Sequence, residues 1–388
     1  MKKQRMATPG PTYVPQEILL SGAQELIHHR SPHMEEVMKE VNERLPVLFG
    51  TTQEVFIMLS SGTGAMEAAV ANCFQEKDKV LVVSNGYFGE RFADIARVYG
   101  IETVEIVSPW GTSVDMHDIE KAYYENLDVK GILVVYSETS TGVTNNVEEI
   151  GKFFRDKNVL VVVDAISGLL SHDFQMDAWG VDVALAASHK GFMMPPGLAF
   201  AAISKKAWLR LEHINPKTYY FSFKRFKKFY PMSPSSPGVS LIFALRTSIE
   251  MLMREGIESC YQRHQMIAEA TQKGLEALGF ELFVADSKRR SNTVTTAIAP
   301  PGLDTSRLIK ILSSQYGMTI TGGQGEFKGK MLRVGHIGSV DSLDLFTVFG
   351  AIELALTDMG LAFTKGSSAA AIQPIMQRGA SGVEIIST

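Results

Sequence analysis

From residue 55 to residue 163 the chain repeats one unit, a short apolar run followed by a segment of helical period. The runs lie at 55–59, 80–83, 103–107, 131–135 and 160–163, with helical patterns at 64–74, 91–99, within 113–126 and at 146–157. A strand with one wet face alternates apolar and polar residues, whereas a strand that is apolar throughout is buried on both faces. Two more runs, at 181–185 and 198–203, extend the series. The pattern predicts an α/β fold, a mainly parallel seven-stranded sheet sandwiched by helices.

Helical patterns at 16–28 and 33–48 precede this region, and a long one at 241–278 follows it. Strands return at 281–284 and 293–298, then a helix at 305–316, strands around 318–320 and 331–334, and a helix at 342–359. We therefore expect a large domain at 21–255 and a smaller C-terminal α+β domain at 256–362. An N-terminal segment, 1–20, and a Ser-, Gly- and Ala-rich tail, 363–388, flank them, the tail without an assigned role.

Composition excludes several functions. The net charge of -4 gives no reason to expect nucleic acid or an anionic membrane as partner. No apolar run is long enough to cross a bilayer. Two distant cysteines, Cys73 and Cys260, both in helical patterns, exclude a disulfide framework and fit a reducing compartment. Pro9, Gly10 and Pro11 stand where a signal peptide needs an apolar core, so a cytoplasmic location is expected.

Polar and glycine-rich residues follow the strands. Ser61-Gly62-Thr63-Gly64 after the first run is a strand-to-helix turn that points backbone N–H groups at an anion. It has neither the lysine of a P-loop nor the third glycine of a dinucleotide fingerprint, and an ordinary capped turn has the same letters. Asn85-Gly86-Tyr87-Phe88-Gly89-Glu90-Arg91 offers rings flanked by glycine, and Ser137 to Gly142 carries more polar groups than a turn needs. Asp164 ends a buried run, and Ser188-His189-Lys190 precedes a turn rich in Gly and Pro. Lysine forms Schiff bases with carbonyl cofactors, and an acid can serve the ring nitrogen of such a cofactor. Each residue alone also reads as a cap, a packing ring or a solvated lysine; their arrival at one sheet edge carries the argument.

In order, Thr8-Pro9-Gly10-Pro11, Ser61 to Glu67, Asn85 to Gly89, Glu138 to Gly142, Val163-Asp164, Ser188-His189-Lys190, Ser236 to Ser240 and Leu332 to Gly335 resemble the class V aminotransferases. The resemblance is to the alanine–glyoxylate and serine–pyruvate branch and covers about residues 7 to 360. It implies a fold-type I pyridoxal 5′-phosphate (PLP) enzyme, usually a homodimer with active sites at the subunit interface. By position, Lys190 would hold PLP as an aldimine and Asp164 would pair with the pyridine nitrogen. Phe88, often Trp in relatives, would stack on the ring. Ser61, Gly62 and Thr63 would bind the phosphate, with Ser188 from the same chain and Ser236, commonly Thr in relatives, from the partner. Thr139, often Ser, would bond the phenolic oxygen. Arg333 would hold the substrate α-carboxylate in its planar fork, and Gly10 and its neighbours would form part of the substrate pocket. The implied reaction is ping-pong transfer of an amino group from alanine or serine to glyoxylate or pyruvate.

Other readings stay open here. Aspartate, phosphonates and ureido amino acids serve as substrates in relatives. A PLP lyase or cysteine desulfurase uses the same fold, but a desulfurase needs a late loop cysteine and none follows Cys260. A catalytically silent PLP-fold subunit is the non-enzyme alternative. The basic, aromatic segment 223–230 reads as a solvated stretch leading to a dimer contact. His28, His29 and His33 lack acidic or thiol partners at metal-ligand spacing, so no metal is expected. His336 reads as a loop histidine or as support for Arg333.

Overall fold

A computed structural model describes residues 3–380. The seven expected runs are β1 (Val55–Ser60), β2 (Lys79–Ser84), β3 (Glu102–Val107), β4 (Gly131–Val135), β5 (Leu160–Asp164), β6 (Val183–Ala187) and β7 (Gly197–Ile203). They form one sheet in the order β1-β7-β6-β5-β4-β2-β3. Only β7 is antiparallel to its neighbours. The sheet explains why the runs are apolar at odd and even positions alike. Leu81, Val83, Val161 and Val163 enter one core with the Pro32–Leu48 and Val239–Glu255 helices. Val80, Val82, Leu160 and Val162 enter the other with the Gly62–Cys73 and Tyr87–Val98 helices. Each such side chain contributes about 1.5–3 kcal/mol by leaving water. β6 begins two residues later than expected, because the Asp182 carboxylate accepts bonds from Val161 N (2.9 Å) and Ser204 Oγ (2.8 Å) in the turn before it.

Two helical expectations change. The long 241–278 pattern is two helices, Val239–Glu255 and Ile257–Ala277, broken at Gly256 with φ +85°, a left-handed conformation that glycine takes without steric cost. The first helix runs only Gln16–Gly22, with Gly22 set against the backbone of Ser240. The 223–230 segment is an amphipathic helix, Phe223–Phe229, whose Phe223 and Phe226 are buried in the second core.

A second, antiparallel sheet contains β8 (Glu281–Leu282), β9 (Val294–Ile298), β10 (Thr321–Gly322) and β11 (Met331–Gly335) in the order β8-β9-β11-β10. With the Ile257–Ala277 and Ser342–Asp358 helices it encloses a third core. The tail takes part in that core. Its Ser367–Ala380 helix buries Ile372, Ile375 and Met376 there, and Glu353 accepts Gly366 N (2.7 Å) and Ser368 N (3.2 Å) at its start. Small residues around Ile372, Ile375 and Met376 hid this helical spacing in the sequence. Residues 381–388 of the expected tail lie outside the described residues.

The N-terminal segment joins the same unit. Arg5–Met6 pairs in parallel with Met318–Thr319, and Gly335 N donates to Ala7 O at 2.8 Å. This carries residues 8–12 from the end of β11 toward the large sheet. Among the described residues no helix is long and apolar enough to cross a membrane.

Candidate active site

β1, β2, β4, β5 and β6 point the same way, so the segments after their C-terminal ends meet at one edge of the sheet. Lys190 stands just past β6 and is buried. Its Nζ donates to Pro9 O at 2.7 Å, and the Thr12 hydroxyl donates to its carbonyl at 3.5 Å. Gly10 faces the same side chain closely, with φ +141°. Burial lowers the Lys190 pKa to about 8 against the pull of Asp164, and the positive charges of Arg333 and Arg91 lower it further. The amine is thus partly neutral near physiological pH, the form a nucleophile or base needs.

Asp164 closes β5. Its Oδ1 accepts from Ile166 N at 2.9 Å, and among the described residues no cation pairs with it. Burial raises its pKa to about 7, with the Glu138 charge adding to the rise. A buried carboxylate without a cation is expensive. A protonated ring nitrogen would be a partner for it. The buried Nδ1 of His189, next to Lys190, is also without a partner. The residues therefore fit a PLP-like group: a lysine for its aldehyde, a carboxylate for its ring nitrogen, and an unmet polar atom on His189 beside the lysine.

Phe88 lies half-buried in the first turn of the Tyr87–Val98 helix. Gly86 gives that helix no side-chain cap, and Glu138 supplies one from across the sheet. Glu138 Oε2 accepts from Phe88 N (3.0 Å) and Gly89 N (3.1 Å), and Oε1 from Ser140 N (3.0 Å) and Ser140 Oγ. The sequence reading missed this role; the surplus of polar residues at 137–142 was its only sign. Thr139 is buried, its hydroxyl 2.6 Å from that of Ser167.

Ser61 caps the Gly62–Cys73 helix through Gly64 N (3.4 Å), and Gly62 packs on Ile166. Ser61 and Thr63 are exposed, and Thr63 Oγ1 accepts from Arg91 Nη1 at 2.9 Å. Arg91 was also missed, since in sequence it reads as one more charge on a helix. Ser188 differs: its hydroxyl donates to Pro195 O (2.7 Å) and accepts from Leu198 N (3.2 Å), which braces the turn behind Lys190. Ser236 lies exposed in the loop before the Val239–Glu255 helix, apart from the Lys190 cluster within one chain.

Arg333 reaches the site from β11, held in register between Thr296 of β9 and Thr321 of β10. It is buried, donates from Nε to Gly322 O (2.7 Å) and from Nη1 to Thr139 O (3.3 Å), and has no acidic partner among the described residues. Burial lowers its pKa, opposed by Glu138. His336, in the loop just past β11, is fully buried between Thr295 Oγ1 (2.9 Å) and Asn292 O (3.0 Å), so this loop histidine is also a structural tie.

Comparison with known proteins shows the family of the chain. The family model described as aminotransferase class-V matches residues 11–334. A Synechococcus protein named soluble hydrogenase, small subunit, is 35% identical over 96% of this chain and 98% of its own length. The serine–glyoxylate aminotransferase of Methylorubrum extorquens is 32% identical over 95% of each chain. The crystal structure of an alanine–glyoxylate aminotransferase from Nostoc sp. superposes with a TM-score of 0.88 at 28% identity, covering 92% of this chain and 96% of that one. The fold is that of the fold-type I PLP aminotransferases, and the chain belongs to the class V aminotransferases.

Proposed function

We propose that this aminotransferase binds PLP at Lys190, takes its amino group from alanine or serine, and passes it to glyoxylate or pyruvate in a ping-pong cycle. The observation that carries the reading is that Lys190 and Asp164 are both buried and feel each other's charge without forming an ion pair, at the edge reached by Arg333. Lys190 would hold the cofactor aldehyde, Asp164 its ring nitrogen, Phe88 its ring face and Thr139 its phenolic oxygen. The turn of Ser61, Gly62 and Thr63 would hold its phosphate. The exposed Ser236 would join from the second chain of a homodimer, while Ser188 supports the turn that carries Lys190.

When bound, the cofactor supplies an electron sink that makes the substrate Cα–H acidic. Arg333 grips the α-carboxylate with the N–H groups that Gly322 and Thr139 leave unused. That grip fixes which bond of Cα faces Lys190. The Lys190 amine, neutral in good part near pH 8, takes the Cα proton as general base. Burial under Pro9 and Gly10 keeps water from competing for it. The same groups act in reverse on the second 2-oxo acid.

Arg91, the other guanidinium felt by Lys190, is engaged by Thr63, which leaves Arg333 for the α-carboxylate and favours a small neutral side chain. The two cysteines, Cys73 and Cys260, are both buried and unpaired, in keeping with a reducing, cytoplasmic setting. The near-visible spectrum of the purified protein tests the whole reading. We expect a yellow band that bleaches with alanine or serine and returns with glyoxylate or pyruvate. Bleaching only with aspartate, a phosphonate or a ureido amino acid would replace the substrate assignment. No band after addition of PLP would favour a silent subunit.

A further inference from the structure

We propose that Arg91 is a positioning residue that turns the Thr63 hydroxyl into a hydrogen-bond donor for the cofactor phosphate. The proposal rests on the reading that PLP binds at Lys190 with its phosphate at the Ser61-Gly62-Thr63 turn.

A hydroxyl has one proton to give and two lone pairs to receive. Arg91 Nη1 donates to Thr63 Oγ1 at 2.9 Å, and a guanidinium can only donate. The Thr63 proton is therefore directed away from Arg91. Thr63 is the second residue of the Gly62–Cys73 helix, where the first-turn N–H groups have no helical acceptor. Its hydroxyl thus joins a set of donors that an anion would complete.

The guanidinium is itself held in place. Arg91 lies three residues after Phe88 and four after Tyr87 on one helix, so all three share a face. Its Cζ is 4.8 Å from the Phe88 ring centroid and 5.1 Å from that of Tyr87. Among the described residues no carboxylate pairs with it, so its charge is uncompensated beside the turn. A side chain anchored after β2 thereby sets a hydroxyl anchored after β1.

Pyridoxal, which has the same ring and aldehyde but no phosphate, separates this role from a general structural one. PLP and pyridoxal are titrated into the cofactor-free wild type, Arg91→Gln, Thr63→Val and the double variant, and the near-visible band is followed. We expect Arg91→Gln and Thr63→Val each to weaken PLP about ten-fold, the order of one hydrogen bond to a charged group. Pyridoxal should stay within about two-fold of wild type. The double variant should lose no more than about two-fold beyond Arg91→Gln, because the two residues act as one unit. Unchanged PLP affinity in Arg91→Gln, equal loss of PLP and pyridoxal, or additive losses in the double variant would each overturn the proposal. If Arg91→Gln does not fold, Arg91→Met, which keeps the length of the side chain and has no donor, takes its place with the same expected outcomes. A wild type that binds neither compound would show instead that the cofactor reading itself is wrong.

Discussion

A methyl group on Gly10 would lie 2.4 Å from Nζ of Lys190 and 2.5 Å from its Cε, while the neighbouring Pro9 carbonyl accepts a hydrogen bond from that amine at 2.7 Å. The N-terminal segment is shaped around a lysine 181 residues away from Pro9. Its other end is tied to β11, the strand that carries Arg333, through Gly335 N and Ala7 O. Lys190 and the strand of Arg333 are therefore linked through residues 7–10.

Gly10→Ala should impair catalysis while keeping the fold. The new Cβ meets the movable end of Lys190, and φ +141° strains any other residue by about 1–3 kcal/mol. We expect at least about ten-fold lower turnover with a shifted cofactor band, and a thermal midpoint only a few degrees lower. Wild-type turnover would show that the amine has another place to go.

Lys190→Ala should lose the yellow band and lower transamination by at least about 100-fold, the lower range for a positioned general base. Stopped-flow measurement of each half-reaction checks this. Turnover at the wild-type rate would remove Lys190 from the mechanism.

For Arg333→Lys we expect the KM for the amino acid and for the 2-oxo acid to rise together, each about ten-fold or more. A lysine keeps the charge but loses the planar fork. A rise for only one of the two would mean that they do not share the clamp.

Acid should destabilise the fold around three buried histidines. His172 Nε2 accepts from Asn292 N (2.9 Å), His336 is tied to Asn292 O and Thr295, and His264 accepts from Gly338 N (3.0 Å). Burial holds the pKa of His172 at about 3 and of His336 at about 4, and that of His264 well below 6.5. A histidine that is neutral when folded and charged when unfolded binds more protons unfolded. Its contribution is complete above pH 6.5 and is lost as pH falls toward the folded value. Asp164, raised to about 7, has the opposite sign and offsets about one proton. Urea unfolding between pH 7 and 4.5 should give a steep acid limb, and His172→Gln should flatten it by about one proton. An unchanged slope would place the acid sensitivity elsewhere.

Ile372→Ala should destabilise the protein by about 2–4 kcal/mol, because the side chain is fully buried in the third core. Chemical denaturation measures this directly. A change below about 0.5 kcal/mol would mean that the Ser367–Ala380 helix does not support the domain.

The layered sheet, and the edge at which its polar segments collect, follow from the residue pattern alone. Apolar runs at 80–83 and 160–163 have to be covered on both faces, and in a parallel arrangement their C-terminal ends share one side. Asp164 and Lys190 were legible for that reason. Tertiary structure decided what neighbours do to these groups. The sequence carries no sign that the Pro9 carbonyl accepts from Lys190, that Glu138 caps the helix of Phe88, or that Arg91 reaches Thr63. It also left the Ser188 proton open, which the Pro195 carbonyl takes in the folded chain. Hydrogen bonds and desolvation depend on distances between residues far apart in the chain, and only packing sets those distances. Local periodicity reports which faces are buried; it does not report which groups meet there.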